Sequence, residues 1–186
     1  MIKAIINFFD KPLVFKNLNA GQRMRLLTKC FPEAKFVFIT RDPVHTSQSI
    51  LKSKRVLGLK DTDFWSIKPA NVEDLENLNG YEQIVKQVYF LERQIVEDSA
   101  LVVEGCFYTL QLNDLSVHTI GELAKSLGFV KRAYDPKLPS IHVNETVSIA
   151  DKEFVSLQKQ VESLDWSFMQ ASPNHSASKS TTTDAS

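Results

Sequence analysis

The chain has 186 residues, 43% of them apolar, and its 22 basic and 22 acidic side chains give no net charge. That is enough for one buried core, and no shift in composition divides the chain into two comparable domains. Balanced charge excludes a global attraction to nucleic acid, so any anion site has to be local.

Ile2 to Asp10 reads as a short helix. The opening MIKAIINFF is too short to cross a bilayer and lacks a small-residue cleavage site, so no signal peptide or membrane segment is expected and a cytoplasmic location is the default. Pro12 to Lys16 (PLVFK) reads as a short strand ending in a cation. Asn19 to Cys30 follows as an amphipathic helix with Met24, Leu26, Leu27 and Cys30 as its apolar positions. Phe31-Pro32-Glu33-Ala34 then turns the chain into KFVFITRDPVHTSQS, the most informative stretch in the sequence.

Phe36 to Ile39 is too short and too β-rich for a helix, Asp42 suits a helix N-cap, and Pro43 suits the first helical turn, where a missing N–H costs nothing. The order is strand, turn, helix. Arg41 therefore falls at the carboxyl end of a strand, where open α/β sheets bind ligands, next to the free N–H groups and positive dipole of a helix. With hydroxyls following at Ser47 and Ser49, phosphate is the natural ligand. Arg-Asp-Pro after a strand also occurs as a plain capped helix start with the Arg ion-paired on the surface. The context favours a βαβ unit in which Lys16 and Arg41 share one sheet edge.

Lys52 to Gly80 is weakly periodic, with Phe64, Trp65 and Ile67 among charges. Tyr81 to Glu97 has a helical apolar face, and Leu101-Val102-Val103, bounded by Ser99 and Gly105, reads as a third core strand. Cys106 to Leu110 leads into a helix over Leu115 to Leu127, stopped at Gly128. A last helix over Ala150 to Leu164 closes a domain spanning residues 1–170. Residues 171–186, ASPNHSASKSTTTDAS, carry no large apolar side chain and read as a disordered tail. Cys30 and Cys106 read as buried, reduced thiols, and neither they nor the four His have metal-ligand spacing, so no metal is expected.

The run LVFKN…LLTKCFPEAKFVFITRDPVHTSQSI resembles the central part of the sulfotransferases that use 3'-phosphoadenylyl sulfate (PAPS). The resemblance rests on a strand ending in Lys, a helix, FP-x-AKF with an apolar strand, then Arg-Asp-Pro and a Ser eight residues after the Arg. It implies an α/β fold, a parallel sheet flanked by helices of the P-loop NTPase-like sulfotransferase type. It implies that Arg41 and Ser49 bind the 3'-phosphate of the nucleotide and that Lys16 lies near the transferred sulfuryl group as the catalytic cation. PAPS would be the co-substrate, without a metal, and the partner a carbohydrate or small-molecule acceptor with a hydroxyl or amine. Tyr108 stands where the family usually reads Tyr-Glu-x-Leu, with Thr109 replacing the Glu. It would stack near the purine or serve as a half-buried strand-end residue. Trp65 would line the acceptor site or anchor a loop.

Two departures accompany the resemblance. No PxSGTT-type phosphate loop occurs in the sequence, so the fold is expected to be incomplete at its amino terminus, and Leu18 stands where some branches place a catalytic His. The alternatives are a non-catalytic or split remnant acting as a nucleotide-binding or interaction module, and a P-loop kinase-like fragment, for which a Walker Lys and a metal-binding carboxylate are not evident.

Overall fold

A computed structural model describes residues 2–129 and 145–170. The tail expected over 171–186 lies outside the described residues. Helices dominate: α1 (Ile2–Phe9), α2 (Leu18–Gly21), α3 (Met24–Cys30), α4 (Pro43–Val56), α5 (Gly80–Ser99), α6 (Val117–Ser126) and α7 (Asp151–Glu162). Two strands, β1 (Phe36–Thr40) and β2 (Phe107–Gln111), pair in parallel with Phe36 opposite Phe107 and Thr40 opposite Gln111. Parallel neighbours need a long crossover, and α4 and α5 supply it. The arrangement is a helical molecule with a small parallel sheet, compatible with the α/β class read from the sequence.

Of the three expected strands, only the one at 36–40 forms. Pro12 to Lys16 has no regular structure, and Val14 and Phe15 are 79% and 66% exposed. A strand needs a neighbour to take its backbone groups, and among the described residues the sheet has only β1 and β2. Leu101 to Val103 is not a strand because α5 runs on to Ser99 and the chain must then reverse. The N–H groups of Leu101 and Val102 donate to the carbonyls of Asp98 and Ser99, and Cys106 donates to Val103. Gly105, at φ +76°, completes the reversal in the left-handed region that glycine tolerates. The chain enters the sheet one step later, at Phe107, so the segment taken as a lead-in to the next helix is the strand itself.

The helix expected over Asn19 to Cys30 is broken into α2 and α3. Gly21, at the break, sits so close to α5 that an added Cβ would lie 2.7 Å from Ile95 Cδ1. Cys30 is exposed rather than buried, and Cys106 is half-buried; neither is bridged.

The core lies between α4, α5 and α7, where Leu51, Ile84, Val85 and Leu157 are fully buried. One truncation there, Leu51→Ala, costs about 2–5 kcal/mol in lost transfer energy and cavity formation. Polar side chains within this core hold the irregular chain. The ammonium of buried Lys54 donates to the Asp61 carbonyl at 2.9 Å and to Gln83 Oε1 at 3.3 Å, while burial lowers its pKa. Gln83 Nε2 donates to Leu75 O, and Gln87 Nε2 donates to the carbonyls of Trp65 and Ile67. The weakly periodic stretch after α4 is thus hooked down through its backbone, which carries Trp65 into place.

At the surface, Arg55 joins α4 to α7 by donating to both Glu153 carboxylate oxygens, and it also pairs with Asp61. Glu153 additionally accepts from the Ala150 N–H and the Tyr81 hydroxyl. The Arg55 hydrogen bond is the chief cause that holds the Glu153 carboxyl at about 2, against the ordinary 4.5. A carboxyl depressed in the folded state stabilises it above the unfolded value and loses that contribution as pH falls through the folded one. The melting temperature should therefore drop between pH 4.5 and about 2. In Glu153→Gln that part of the drop should be absent, as followed by circular dichroism.

Candidate functional site

The end of β1 and the start of α4 are built as the sequence dictates. The Asp42 carboxylate caps α4 by accepting from the N–H groups of Val44, at 2.9 Å, and His45, at 3.0 Å, and Pro43 occupies the first turn. Arg41 follows directly on Thr40, the last residue of β1. Its Nη1 donates to Ser49 Oγ at 3.1 Å, and Ser49 Oγ in turn donates to the His45 carbonyl one turn back at 2.9 Å. The guanidinium is thereby held against the flank of α4. The eight-residue spacing of Arg41 and Ser49 corresponds to a direct contact.

Both residues line one cleft of about 580 Å³. Lys52 and Ser53 extend the polar side along α4, each three or four residues on from Ser49 and so on the same helical face. Val56, Leu57 and Trp65 add apolar lining, and Thr146 and Ser148 line the cleft from the segment before α7. A lining that combines a guanidinium, an ammonium and hydroxyls with an aromatic suits a ligand that joins an anionic group to an apolar body.

Lys16 is not brought into this cleft. It is exposed on the irregular segment after α1, not at the tip of a strand, so the shared sheet edge expected for Lys16 and Arg41 does not form among the described residues. Tyr108 is a buried strand residue whose hydroxyl donates to the Ser126 carbonyl at 3.0 Å, at the carboxyl end of α6, where Lys35 also donates to Leu127 O. A cation and a hydroxyl there complement the negative end of the helix. Trp65 lines the same cleft as Arg41 and Ser49, and its backbone carbonyl accepts from Gln87 Nε2 at 2.9 Å, so the loop is anchored at this residue by a side chain of α5.

Several residues of the cleft escaped the sequence reading. Lys52 and Ser53 had a signal, the i+3 and i+4 spacing from Ser49. Thr146 and Ser148 had none, because about a hundred residues separate them from α4. Glu92 of α5 was missed as well. Burial, reinforced by the negative charge of Asp42, pushes its carboxyl up to about 8. It is therefore protonated at neutral pH and adds no negative charge beside the N-terminus of α4.

The family model described as the sulfotransferase family matches residues 4–136, which include both strands, α4, α5 and α6. No curated protein and no solved structure matches the chain. The chain belongs to the sulfotransferase family. Among the described residues no group of three or more His, Cys, Asp or Glu side chains is arranged to hold a metal ion, and no helix is long and apolar enough to cross a membrane.

A carboxyl raised in the folded state binds a proton that the unfolded chain releases, so stability declines as pH rises from the unfolded value towards the folded one. For Glu92 that window runs from 4.5 to about 8. Glu92→Gln, which keeps the shape and removes the titration, should melt at a temperature that gains on the wild type across that window and runs parallel above it.

Proposed function

We propose that the cleft binds PAPS, with its 3'-phosphate on Arg41 and Ser49, and that the protein transfers the sulfuryl group to a hydroxyl or amine of a carbohydrate or small-molecule acceptor. The observation that carries this reading is the 3.1 Å contact between Arg41 and Ser49 at the mouth of a cleft beside a capped helix N-terminus. A planar fork of donors, a hydroxyl and a helix dipole in one place suit a dianionic phosphate better than any neutral group. The parallel strand pair with its crossover helices, and the site at the carboxyl end of β1, are consistent with a P-loop-like nucleotide fold.

In this reading the protein contributes position and charge rather than covalent chemistry, as in phosphoryl transfer. Arg41 distinguishes a nucleotide with a 3'-phosphate from one without it. Two charge-assisted hydrogen bonds from its guanidinium are worth roughly 3–6 kcal/mol before desolvation, against about 1 for the Ser49 hydroxyl. Lys16, carried on an exposed segment, is the cation assigned to the sulfuryl oxygens. That role requires the segment to close over the ligand.

A second reading, a nucleotide-binding or interaction module without turnover, is favoured by one observation. Parallel strands are usually covered on both faces, yet Val37 and Ile39 of β1 are 37% and 52% exposed. A partner covering that face would complete the sheet.

Binding and turnover separate the two. Adenosine 3',5'-bisphosphate should raise the melting temperature more than AMP does, because a ligand bound only by the folded state stabilises it by mass action. Arg41→Ala should abolish the difference with the fold intact, and Ser49→Ala should reduce it. Equal shifts with both nucleotides in the wild type would overturn the 3'-phosphate assignment. With labelled PAPS and a panel of hydroxyl and amine acceptors, Lys16→Ala should lower kcat while leaving bisphosphate affinity unchanged. Binding without transfer to any acceptor would favour the module.

A further inference from the structure

Part of the cleft lining belongs to a segment without regular structure, and a buried side chain of α4 binds it. Gln48 is 3% exposed and immediately precedes Ser49. Its Nε2 donates to the Thr146 carbonyl at 3.1 Å, and its Oε1 accepts from the Ser148 N–H at 2.9 Å. The carboxamide thus reads the backbone of residues 146–148 as a neighbouring strand would, through one donor and one acceptor on alternate residues. Thr146 and Ser148 line the same cleft as Arg41 and Ser49, and the same segment leads into α7, which Arg55 ties back to α4.

We propose that Gln48 is a positioning residue for the anion cleft: it sets the distance between the α4 wall and the 146–148 wall, so that a nucleotide phosphate is enclosed from both sides. This rests on the assignment of the 3'-phosphate to Arg41 and Ser49. The physical reason is that an irregular segment has no ladder of its own to fix its place, and a buried amide that satisfies one of its carbonyls and one of its N–H groups fixes it to within hydrogen-bonding tolerance. Leaving those two backbone groups unpaired beside the core would be costly, so the clasp also resists being pulled open. Ligand recognition by Arg41 and closure of the far wall then depend on neighbouring residues of the same helix.

The test uses adenosine 3',5'-bisphosphate and AMP, titrated into the full chain by calorimetry well below its melting temperature. Gln48→Leu removes both hydrogen bonds at nearly constant volume and should weaken bisphosphate binding about tenfold. Gln48→Glu supplies the decisive pH profile. Protonated, its carboxyl can donate to Thr146 O and accept from Ser148 N–H as the amide does; ionised, it cannot donate and places a negative charge beside the anion. Its affinity relative to the wild type should be near unity in mild acid and fall as the carboxyl ionises, whereas Gln48→Leu should show no such pH dependence relative to the wild type. A purely structural role would lower the melting temperature of both variants and leave the affinities of the folded proteins unmoved, and that result would overturn the proposal. Independently of any variant, the bisphosphate should slow hydrogen exchange at the Ser148 amide of the wild type more than AMP does, and unchanged exchange there would also overturn it. If the wild type itself fails to prefer the bisphosphate, the phosphate assignment fails rather than the role of Gln48.

Discussion

Every buried backbone N–H and carbonyl has to find a partner, and in this chain much of the backbone around the site lies outside helices and strands. Three glutamines and a lysine meet that constraint. Gln83, Gln87 and Lys54 are all fully buried between helices that would ordinarily meet through apolar side chains. Each donates an N–H to a carbonyl of the chain between α4 and α5, and Gln48 both donates to and accepts from the chain before α7. Without these hooks the helices could still associate through Leu51, Ile84, Val85 and Leu157, but Trp65 and the 146–148 wall would have no fixed place.

The same constraint explains why α4 is central. Its N-terminus receives the chain from β1 and is capped by Asp42, its inner face is packed by α5 and α7, and its remaining flank carries Arg41's partner Ser49 with Lys52 and Ser53. One helix thereby serves as structural spine and as one wall of the cleft. Close coupling of the two roles has a cost in tolerance: Gln48 and Ser49 are adjacent, so a change of register in α4 would displace the Gln48 hydrogen bonds and the Arg41–Ser49 contact together.

The electrostatics of the crevice follow from the same packing. Asp42 is an anion at the start of α4, and its carboxylate is engaged by two helix N–H groups. Glu92, close enough for its charge to be opposed by that of Asp42, stays protonated at neutral pH through burial. Arg41 and Lys52 are the charged side chains that line the cleft, in a chain with no net charge overall.

Read in order, the sequence by itself determined the strand at Phe36 to Thr40, the Asp42 cap with Pro43 in the first turn, and the helices that became α4, α5, α6 and α7; it singled out Arg41 and Ser49 by their spacing, and their direct contact came with the structure. All of these are local: they depend on residues within two or three turns of one another, where periodicity, capping chemistry and spacing act directly. The family followed from the same stretch. Tertiary structure decided the rest. A strand at Pro12 to Lys16 required a neighbour that the described sheet does not offer. Leu101 to Val103 lost to Phe107 to Gln111 because α5 extended to Ser99 and Gly105 had to turn the chain first. Nothing local marks the buried glutamines, polar side chains whose partners lie 8 to 100 residues away.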